Sequence, residues 1–461
     1  MAGGRMRVLV GVRCLKHRKA GIGHHTVELV EALRALKIDN PSENDQAHGL
    51  EKVGTFPGPI LLEGVRGWYE YAPALKRRLC SFFGRSPKQN PTQIPVENAK
   101  SCLTAPTEDF ENQGLTIQPT SDEVEDQTRR QRAPWLFRQG ARLAKGFYSH
   151  QLRATFTTAN FDLYHEPNYF PVPCELPTIV TIHDLSAILH PEWHPAERVR
   201  MHEELFDRLI PSKTHFLTVS QHVKTQMWQH LGISEERIHV SHNGVRSNLA
   251  PLASEKLAKG LSRLKLKPGY FLHVGTIEPR KNLALLMRAW EDLPAEIRDR
   301  HPLVLAGAFG WKDRQEIGLI DRLKDKGLVH LGYVPERDLA ALYGGAQALA
   351  FPSHDEGFGM PVVEMLSCGG AVLAAPAGAV GEIAGPGVNL IRSGEVSDWR
   401  RALCRAATDL EYLAGLKRRS RETAAPYTWE ACAKQTLRAY QALLKTTSRP
   451  ANKKLLAGNA A

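Results

Sequence analysis

Ala348-Leu-Ala-Phe-Pro-Ser-His-Asp-Glu-Gly-Phe-Gly-Met-Pro-Val-Val-Glu364 changes character twice in a short span. The apolar run ending at Phe351 reads as a buried strand. Gly357 and Gly359 follow, and without side chains they let the backbone approach a ligand closely. Pro361 suits the first turn of a helix, and that turn presents free N–H groups to an anion. Strand, glycine loop and helix form the repeating unit of a doubly wound α/β domain, whose ligands bind at the carboxyl ends of the strands. Glu356 in the loop and Glu364 on the first helical turns can therefore face one cleft and accept hydrogen bonds from ligand hydroxyls.

The same unit recurs on both sides of this string. Residues 7–12 are apolar, Gly21-Ile-Gly23 reads as a small loop, and residues 26–36 are apolar at helical spacing. Residues 161–165, 178–184, 215–220 and 238–245 read as short strands ending in polar residues. Amphipathic helices lie between them at 197–210 and 221–231. Residues 246–267 are polar, rich in Leu and Lys, and read as a linker. Alternation restarts with strands at 270–275, 303–307, 329–332, 348–351, 372–375 and 389–391, and a helix from 282 to 290. Two α/β domains in tandem follow, each built on a parallel sheet.

The rest of the chain narrows the class. It has 461 residues, 42% hydrophobic and 24% charged, with a mean hydropathy of −0.32. That is a globular composition for two or three domains. No run approaches the roughly 18–20 apolar residues of a spanning helix. The opening apolar stretch is too short for a signal-peptide core, so secretion by that route is not expected. Seven cysteines without a C-x-x-C pair exclude a disulfide scaffold or zinc ribbon and read as free thiols in a reducing cytoplasm. A net charge of +11 favours acidic partners. Residues 86–130 are rich in Pro, Gln, Asn, Thr and Ser, and read as a disordered or loosely packed insertion. Basic-aromatic segments at 67–83 and 134–148 flank it, and the second carries no acid.

Several further stretches join the quoted string in a known order: Tyr164-His-Glu-Pro-Asn-Tyr-Phe170, Thr181-Ile-His-Asp-Leu-Ser186, Leu217-Thr-Val-Ser220, Ser241-His-Asn-Gly-Val245, Val274-Gly-Thr-Ile-Glu-Pro-Arg-Lys-Asn282, Leu305-Ala-Gly307 with Gly310-Trp311, and Leu331-Gly-Tyr-Val334. As a set, over residues 5–36 and 160–445, they resemble the retaining nucleotide-sugar glycosyltransferases of family four. Glu356 and Glu364 match that family's pair of glutamates separated by seven residues. The resemblance implies the GT-B fold, two Rossmann-like domains facing each other across a cleft. It assigns 1–245 to an acceptor-side domain and 268–425 to a nucleotide-sugar-binding domain. A helix at 426–448 would return to the first domain, and 449–461 would be a frayed tail.

The resemblance also implies roles. Glu356 would hold hydroxyls of the donor sugar, and Glu364 the nucleotide ribose. Backbone amides of Gly357, Phe358, Gly359 and Met360 would touch the sugar or diphosphate. Arg280 and Lys281 would stabilise charge building on the departing diphosphate. Many family members carry Arg directly after the strand's Gly, where this chain has Thr276, which puts the phosphate role on Arg280 and Lys281. His183, followed by Asp184, would point into the cleft and orient the reacting sugar. Gly21 and Gly23 would bring amides to the diphosphate from the opposite wall. The backbone of Tyr333 and Val334 would read the nucleobase, and Glu382 would lie near the cleft. Cys368-Gly-Gly-Ala371 stands where the family often has Cys-Gly-Thr-Pro, so that loop would be looser.

No D-x-D motif follows an apolar strand and no His/Cys/Asp cluster has metal spacing, so metal-independent transfer without a cofactor is expected. The resemblance implies retention of anomeric configuration. The motifs around 276–282 and 181–184 look most like those of bacterial polysaccharide mannosyltransferases, which makes GDP-mannose the first donor candidate and a glycan or lipid-linked glycan the acceptor. The expected site of action is cytoplasmic; residues 134–148 read either as a segment lying on an anionic membrane surface or as ordinary domain surface with Trp135 and Phe137 buried in the core. Two rivals remain at this stage. One is another GT-B enzyme, a phosphorylase or sugar-nucleotide epimerase. The other is a non-catalytic nucleic-acid-binding protein, against which the chain shows no nucleic-acid module and a spread-out charge.

Overall fold

The structure is a computed structural model, and it describes residues 6–12, 21–36, 50–56 and 161–447. The expected insertion at 86–130, the basic-aromatic segments 67–83 and 134–148, and the tail 449–461 lie outside the described residues.

The N-terminal lobe is a parallel sheet of β1 (Met6–Gly11), β2 (Leu50–Phe56), β3 (Leu163–Glu166), β4 (Thr178–Ile182), β5 (His215–Thr218) and β6 (Ile238–Val240), in the order β2-β1-β3-β4-β5-β6. Strands β3 and β5 are buried along their whole length and β1 and β4 nearly so, as expected of a parallel sheet covered on both faces. Helix α1 (Gly21–Ala35) packs on one face, while α2 (Ala196–Leu209) and α3 (Gln221–Leu231) cover the other end of the sheet. Helix α1 begins at Gly21, so Gly21-Ile-Gly23 is the first helical turn and not a loop ahead of the helix. The two glycines thus belong to the turn whose N–H groups have no intrahelical partner.

Strand β2 has no counterpart in the sequence reading. Among the described residues it is an edge strand, paired only with β1. One-sided pairing tolerates the polar composition Leu-Glu-Lys-Val-Gly-Thr-Phe, which gives no continuous apolar run.

Of the stretch 246–267, residues Ser254–Arg263 form helix α4. A Cβ at Gly260 would lie 2.3 Å from the Ala341 side chain, and Arg263 pairs with Asp338. Helix α4 therefore belongs to the C-terminal lobe, and the connection between lobes narrows to 246–253.

The C-terminal sheet contains β7 (Tyr270–Val274), β8 (Leu303–Ala306), β9 (Leu328–Gly332), β10 (Ala346–Phe351), β11 (Val372–Ala374) and β12 (Val388–Leu390). Helices α5 (Leu283–Glu291), α6 (Arg314–Leu323), α7 (Glu336–Gly345), α8 (Met360–Ser367), α9 (Val396–Thr408) and α10 (Leu410–Ala424) surround it. The order β12-β11-β10-β7-β8-β9 is the doubly wound order of dinucleotide-binding folds, and the winding reverses between β7 and β10. Helix α11 (Trp429–Thr447) crosses back, and Cys432, Ala433, Ala439, Tyr440 and Leu443 complete the core around β1, β3 and α1. The lobes are thus joined twice, by 246–253 and by the turn before α11.

Candidate active site

The loops after β7 and β10 flank the reversal point of the C-terminal sheet, and they carry opposite charges. Glu356 Oε1 accepts from Lys281 Nζ at 2.6 Å and from Ser353 Oγ at 2.7 Å, and Oε2 accepts from Arg280 Nη1 at 2.8 Å. All three charged side chains are buried or nearly so. Burial alone would raise the Glu356 pKa, but Arg280 and Lys281 outweigh it and hold the carboxyl at about 2. Burial and the neighbouring Arg280 lower the Lys281 pKa, against the pull of Glu356.

Arg280 and Lys281 sit unlike one another. Arg280 gives Nε and Nη2 to Glu278, and Nη1 to both Glu356 and the Asp355 carbonyl. Four of its five N–H groups are thereby committed to the protein. Lys281 has one such bond, to Glu356, out of three ammonium protons. Arg280 ties the loop around Glu356 together; Lys281 retains donors for a ligand.

His183 and Asp184 follow β4 in the other lobe and meet this loop directly. A Cβ on Gly357 would lie 1.8 Å from the His183 carbonyl oxygen, so Gly357 is required by the contact between lobes. His183 Nε2 is 2.9 Å from the Pro167 carbonyl, which can only accept. The Nε2 atom therefore carries the hydrogen, and Nδ1 is a bare acceptor in the neutral ring. Burial lowers the His183 pKa, which keeps it neutral. His25 of α1 packs edge-on against this ring at 4.9 Å between centroids. Asp184 accepts from the Ser186 N–H and hydroxyl. Burial would raise its pKa, but Arg280 of the C-terminal lobe and Ser186 bring it down.

A row of polar bonds fastens the two lobes around this point. Ser220 Oγ donates to the Gly357 carbonyl at 2.7 Å, and His222 Nε2 lies 3.1 Å from Asp355 Oδ1. Glu382 accepts from the N–H groups of Gln221 and His222, both at 3.0 Å, and contacts His242 Nε2 at 2.8 Å. A carboxylate of one lobe thus caps the N-terminus of α3 in the other. On a further edge, Trp311 Nε1 donates to the Trp193 carbonyl and Lys312 Nζ to that of Glu192.

The second acid of the pair, Glu364, is on α8. Gly359 caps that helix at φ +97°, a left-handed conformation that favours glycine, and Pro361 occupies its first turn. Met360 opens the helix, and Phe358 is buried against Tyr427 and His242. Glu364 Oε1 accepts from Arg246 Nη2 at 2.9 Å, and Oε2 from the Tyr343 hydroxyl at 2.7 Å. Tyr333 and Val334 follow β9 at the sheet edge. Tyr333 is 60% exposed and Val334 is buried in the core.

The structure therefore brings Glu356, Lys281, Arg280 and Gly357 together with His183 and Asp184. Glu364 occupies the helix that leaves the same loop, and Tyr333 and Val334 lie two strands away. The sequence reading missed Ser220, His222, Arg246, Ser353, Asp355 and His25. Ser220 and His222 had a usable signal, a Ser-x-His at a strand's carboxyl end. Arg246 adjoined a quoted motif. Among the described residues no three His, Cys, Asp or Glu side chains gather as a metal site.

Comparison with known proteins gives the family and the fold. The family profile described as "Glycosyl transferases group 1" matches residues 257–423, and that described as "Glycosyltransferase Family 4" matches 106–249. The O-antigen chain mannosyltransferase B of Escherichia coli is 32% identical over 284 residues, which are 61% of this chain and 74% of that protein. The chain belongs to this glycosyltransferase family. A serotype-specific mannosyltransferase WbdA of Escherichia coli is 26% identical over 277 residues, 59% of the glycosyltransferase described here and 34% of WbdA. Crystal structures of Anabaena HepE with UDP and glucose, and of WaaG, superpose with a TM-score of 0.56 each at 18% and 13% identity. They cover 95% and 94% of this glycosyltransferase and 99% and 98% of those chains. These likenesses establish the GT-B fold. The second profile begins at residue 106, inside the segment read as an insertion, so the family pattern reaches further toward the N-terminus than the motifs from 160 onward.

Proposed function

We propose that this glycosyltransferase moves a hexose, with mannose from GDP-mannose as the first candidate, onto a growing glycan or lipid-linked glycan with retention of configuration. The observation that carries this reading is the buried Lys281–Glu356 pair at the reversal point between β7 and β10, facing His183 across the cleft. The relatives with mannosyltransferase names support the choice of sugar.

In this reading the bond between the anomeric carbon and the diphosphate breaks, and its electron pair passes to the diphosphate oxygen. Lys281 meets that growing charge with its remaining ammonium protons, helped by the N–H groups at the start of α8 and of α1 around Gly21 and Gly23. The acceptor hydroxyl attacks from the face the diphosphate leaves, and its proton goes to a departing phosphate oxygen. Glu356, held by Lys281, Arg280 and Ser353, accepts from donor-sugar hydroxyls. His183 Nδ1 accepts from another sugar hydroxyl. Glu364 holds the ribose, and the backbone at Tyr333 and Val334 meets the base. Fixed cations perform the charge neutralisation, so activity should survive EDTA. The lobe-to-lobe bonds close the cleft around the donor and exclude water.

No helix among the described residues is long and apolar enough to cross a membrane. A lipid-linked acceptor would be met at the cytoplasmic face through the basic segment 134–148, and flotation with anionic liposomes tests that contact. The transfer itself is tested by incubating the protein with labelled GDP-mannose, UDP-glucose and ADP-glucose and a glycan acceptor, then reading the new linkage by NMR. An α-linked mannose product formed in EDTA supports the proposal. Inverted product, or activity that only Mg²⁺ or Mn²⁺ restores, refutes it.

A further inference from the structure

Arg246 lies on the connection between the lobes and had no role in the sequence reading. The residue before it is held by the other crossing: Val245 N–H donates to the Tyr427 carbonyl, and Val245 bridges Thr428. The Arg246 side chain runs into the C-terminal lobe and is 8% exposed. Nη2 reaches Glu364 Oε1 at 2.9 Å and Nη1 reaches Glu336 Oε1 at 3.3 Å. Tyr343 holds the other oxygen of Glu364.

Each oxygen of Glu364 thus receives one fixed donor. A carboxylate offers about four acceptor positions, so roughly two remain for a ligand. Fixed donors on both oxygens also set the plane of the carboxylate, and a fixed plane is what a paired diol requires. Arg246 supplies the compensating charge, without which a nearly buried carboxylate is costly. Because Arg246 is anchored to the segment that joins the lobes, a rotation of one lobe against the other moves the guanidinium relative to Glu364. An open groove of about 790 Å³ lies beside it, lined by α1, residues 245–251 and the turn before α11.

We propose that Arg246 is a positioning residue for the donor nucleotide, holding the Glu364 carboxylate in register for a ribose diol and linking that grip to the joint between the lobes. The inference rests on the reading of Glu364 as the ribose ligand. It differs from that reading in assigning the orientation of Glu364 to a side chain of the interlobe connection.

Calorimetric binding of GDP and 2′-deoxy-GDP, with UDP and 2′-deoxy-UDP in parallel, tests it on the full chain. The wild type should prefer the ribonucleotide. Arg246→Gln should weaken ribonucleotide binding about tenfold, the scale of one charged hydrogen bond, and deoxynucleotide binding less than twofold. Arg246→Lys, which keeps the charge, should recover part of the preference and serves if the Gln variant does not fold. In a Glu364→Gln background, Arg246→Gln should add less than twofold. Equal weakening of both nucleotides, or full additivity with Glu364→Gln, would overturn the inference, because Arg246 would then act by itself. A Glu364→Gln variant that binds both nucleotides like the wild type would instead overturn the ribose reading, and the inference with it.

Discussion

Gly357→Ala is a one-carbon change whose consequence can be worked from the coordinates. Gly357 is not in the left-handed region, so alanine is compatible with its backbone. The obstacle is the other lobe: the new Cβ would lie 1.8 Å from the His183 carbonyl oxygen, 2.9 Å from its carbon and 3.1 Å from the Asp184 Cβ. Ordinary contact begins at 3.4 Å, so the lobes must separate locally by roughly 1.6 Å. Such a displacement takes Ser220 Oγ out of reach of the Gly357 carbonyl and strains the His222–Asp355 contact. Each lost bond removes about 1 kcal/mol from the closed form. A misplacement near 1 Å between reacting groups costs about 10²-fold in rate. We therefore expect kcat to fall about 100-fold. Nucleoside-diphosphate affinity should stay within about threefold, because Lys281 and Glu364 both lie in the C-terminal lobe and the displacement is local to the contact between Gly357 and His183. The melting temperature should change little, since neither hydrophobic core is touched. Transfer kinetics, calorimetry and a melting curve on one preparation decide it. Wild-type kcat would refute the closed arrangement, and loss of nucleotide binding together with kcat would refute the division of labour between lobes.

Lys281→Met keeps the side-chain volume and removes the free donors; kcat should drop by about 10²–10³ in a transfer assay, whereas a loss below fivefold would return the phosphate role to Arg280. Glu382→Ala leaves the Gln221 and His222 N–H groups of α3 without their carboxylate acceptor, a loss of about 1–2 kcal/mol, and should lower kcat/KM by about tenfold, with Glu382→Gln recovering part because its amide oxygen still accepts an N–H. The Glu356 carboxyl, moved from 4.5 to about 2, contributes on the order of 3 kcal/mol of stability. Its folded pKa is depressed, so that contribution is complete above about pH 4.5 and is lost as the pH falls toward 2. Chemical denaturation of wild type against Glu356→Gln across that window should show the difference shrinking with acid, and a constant difference would contradict the ion-pair account. His25, His165 and His183 are buried with lowered pKa values, burial being the largest cause in each. The unfolded chain binds more protons at these positions, so stability should decline as the pH drops below about 6.5. A flat stability curve from pH 7 to 5 would show that these rings are solvated.

Most of the architecture could be read because buried parallel strands announce themselves. Tyr270-Phe-Leu-His-Val274 and Ala346-Gln-Ala-Leu-Ala-Phe351 are buried on both faces and bounded by Gly or Pro. Where that constraint lapses the signal goes with it, as at the edge strand Leu50–Phe56 and at α4, whose partner α7 lies far along the chain. Glu356, Lys281 and His183 were legible because each stands at a strand's carboxyl end, where a doubly wound sheet must put its ligand. Arg246 was not assignable, and Glu382 was given a place near the cleft but no partner, because their meaning comes from groups more than one hundred residues away: Glu364 for the first, the N-terminus of α3 for the second. Arg280 took a phosphate role from the family resemblance, and only the geometry shows its fork committed to Glu278 and Glu356.

The physical picture is of two doubly wound sheets whose ligand-facing ends meet, so that a cation pair neutralised by Glu356 in one lobe is closed off by a neutral histidine and a helix N-terminus from the other. What it requires above all is that a nucleoside-diphosphate sugar binds against Lys281. Calorimetric titration of GDP-mannose, UDP-glucose and ADP-glucose into the wild type and into Lys281→Met addresses this directly. The account predicts saturable one-to-one binding of at least one sugar nucleotide, weakened tenfold or more in the variant. Binding of none of the three, or equal affinity in both proteins, would contradict it.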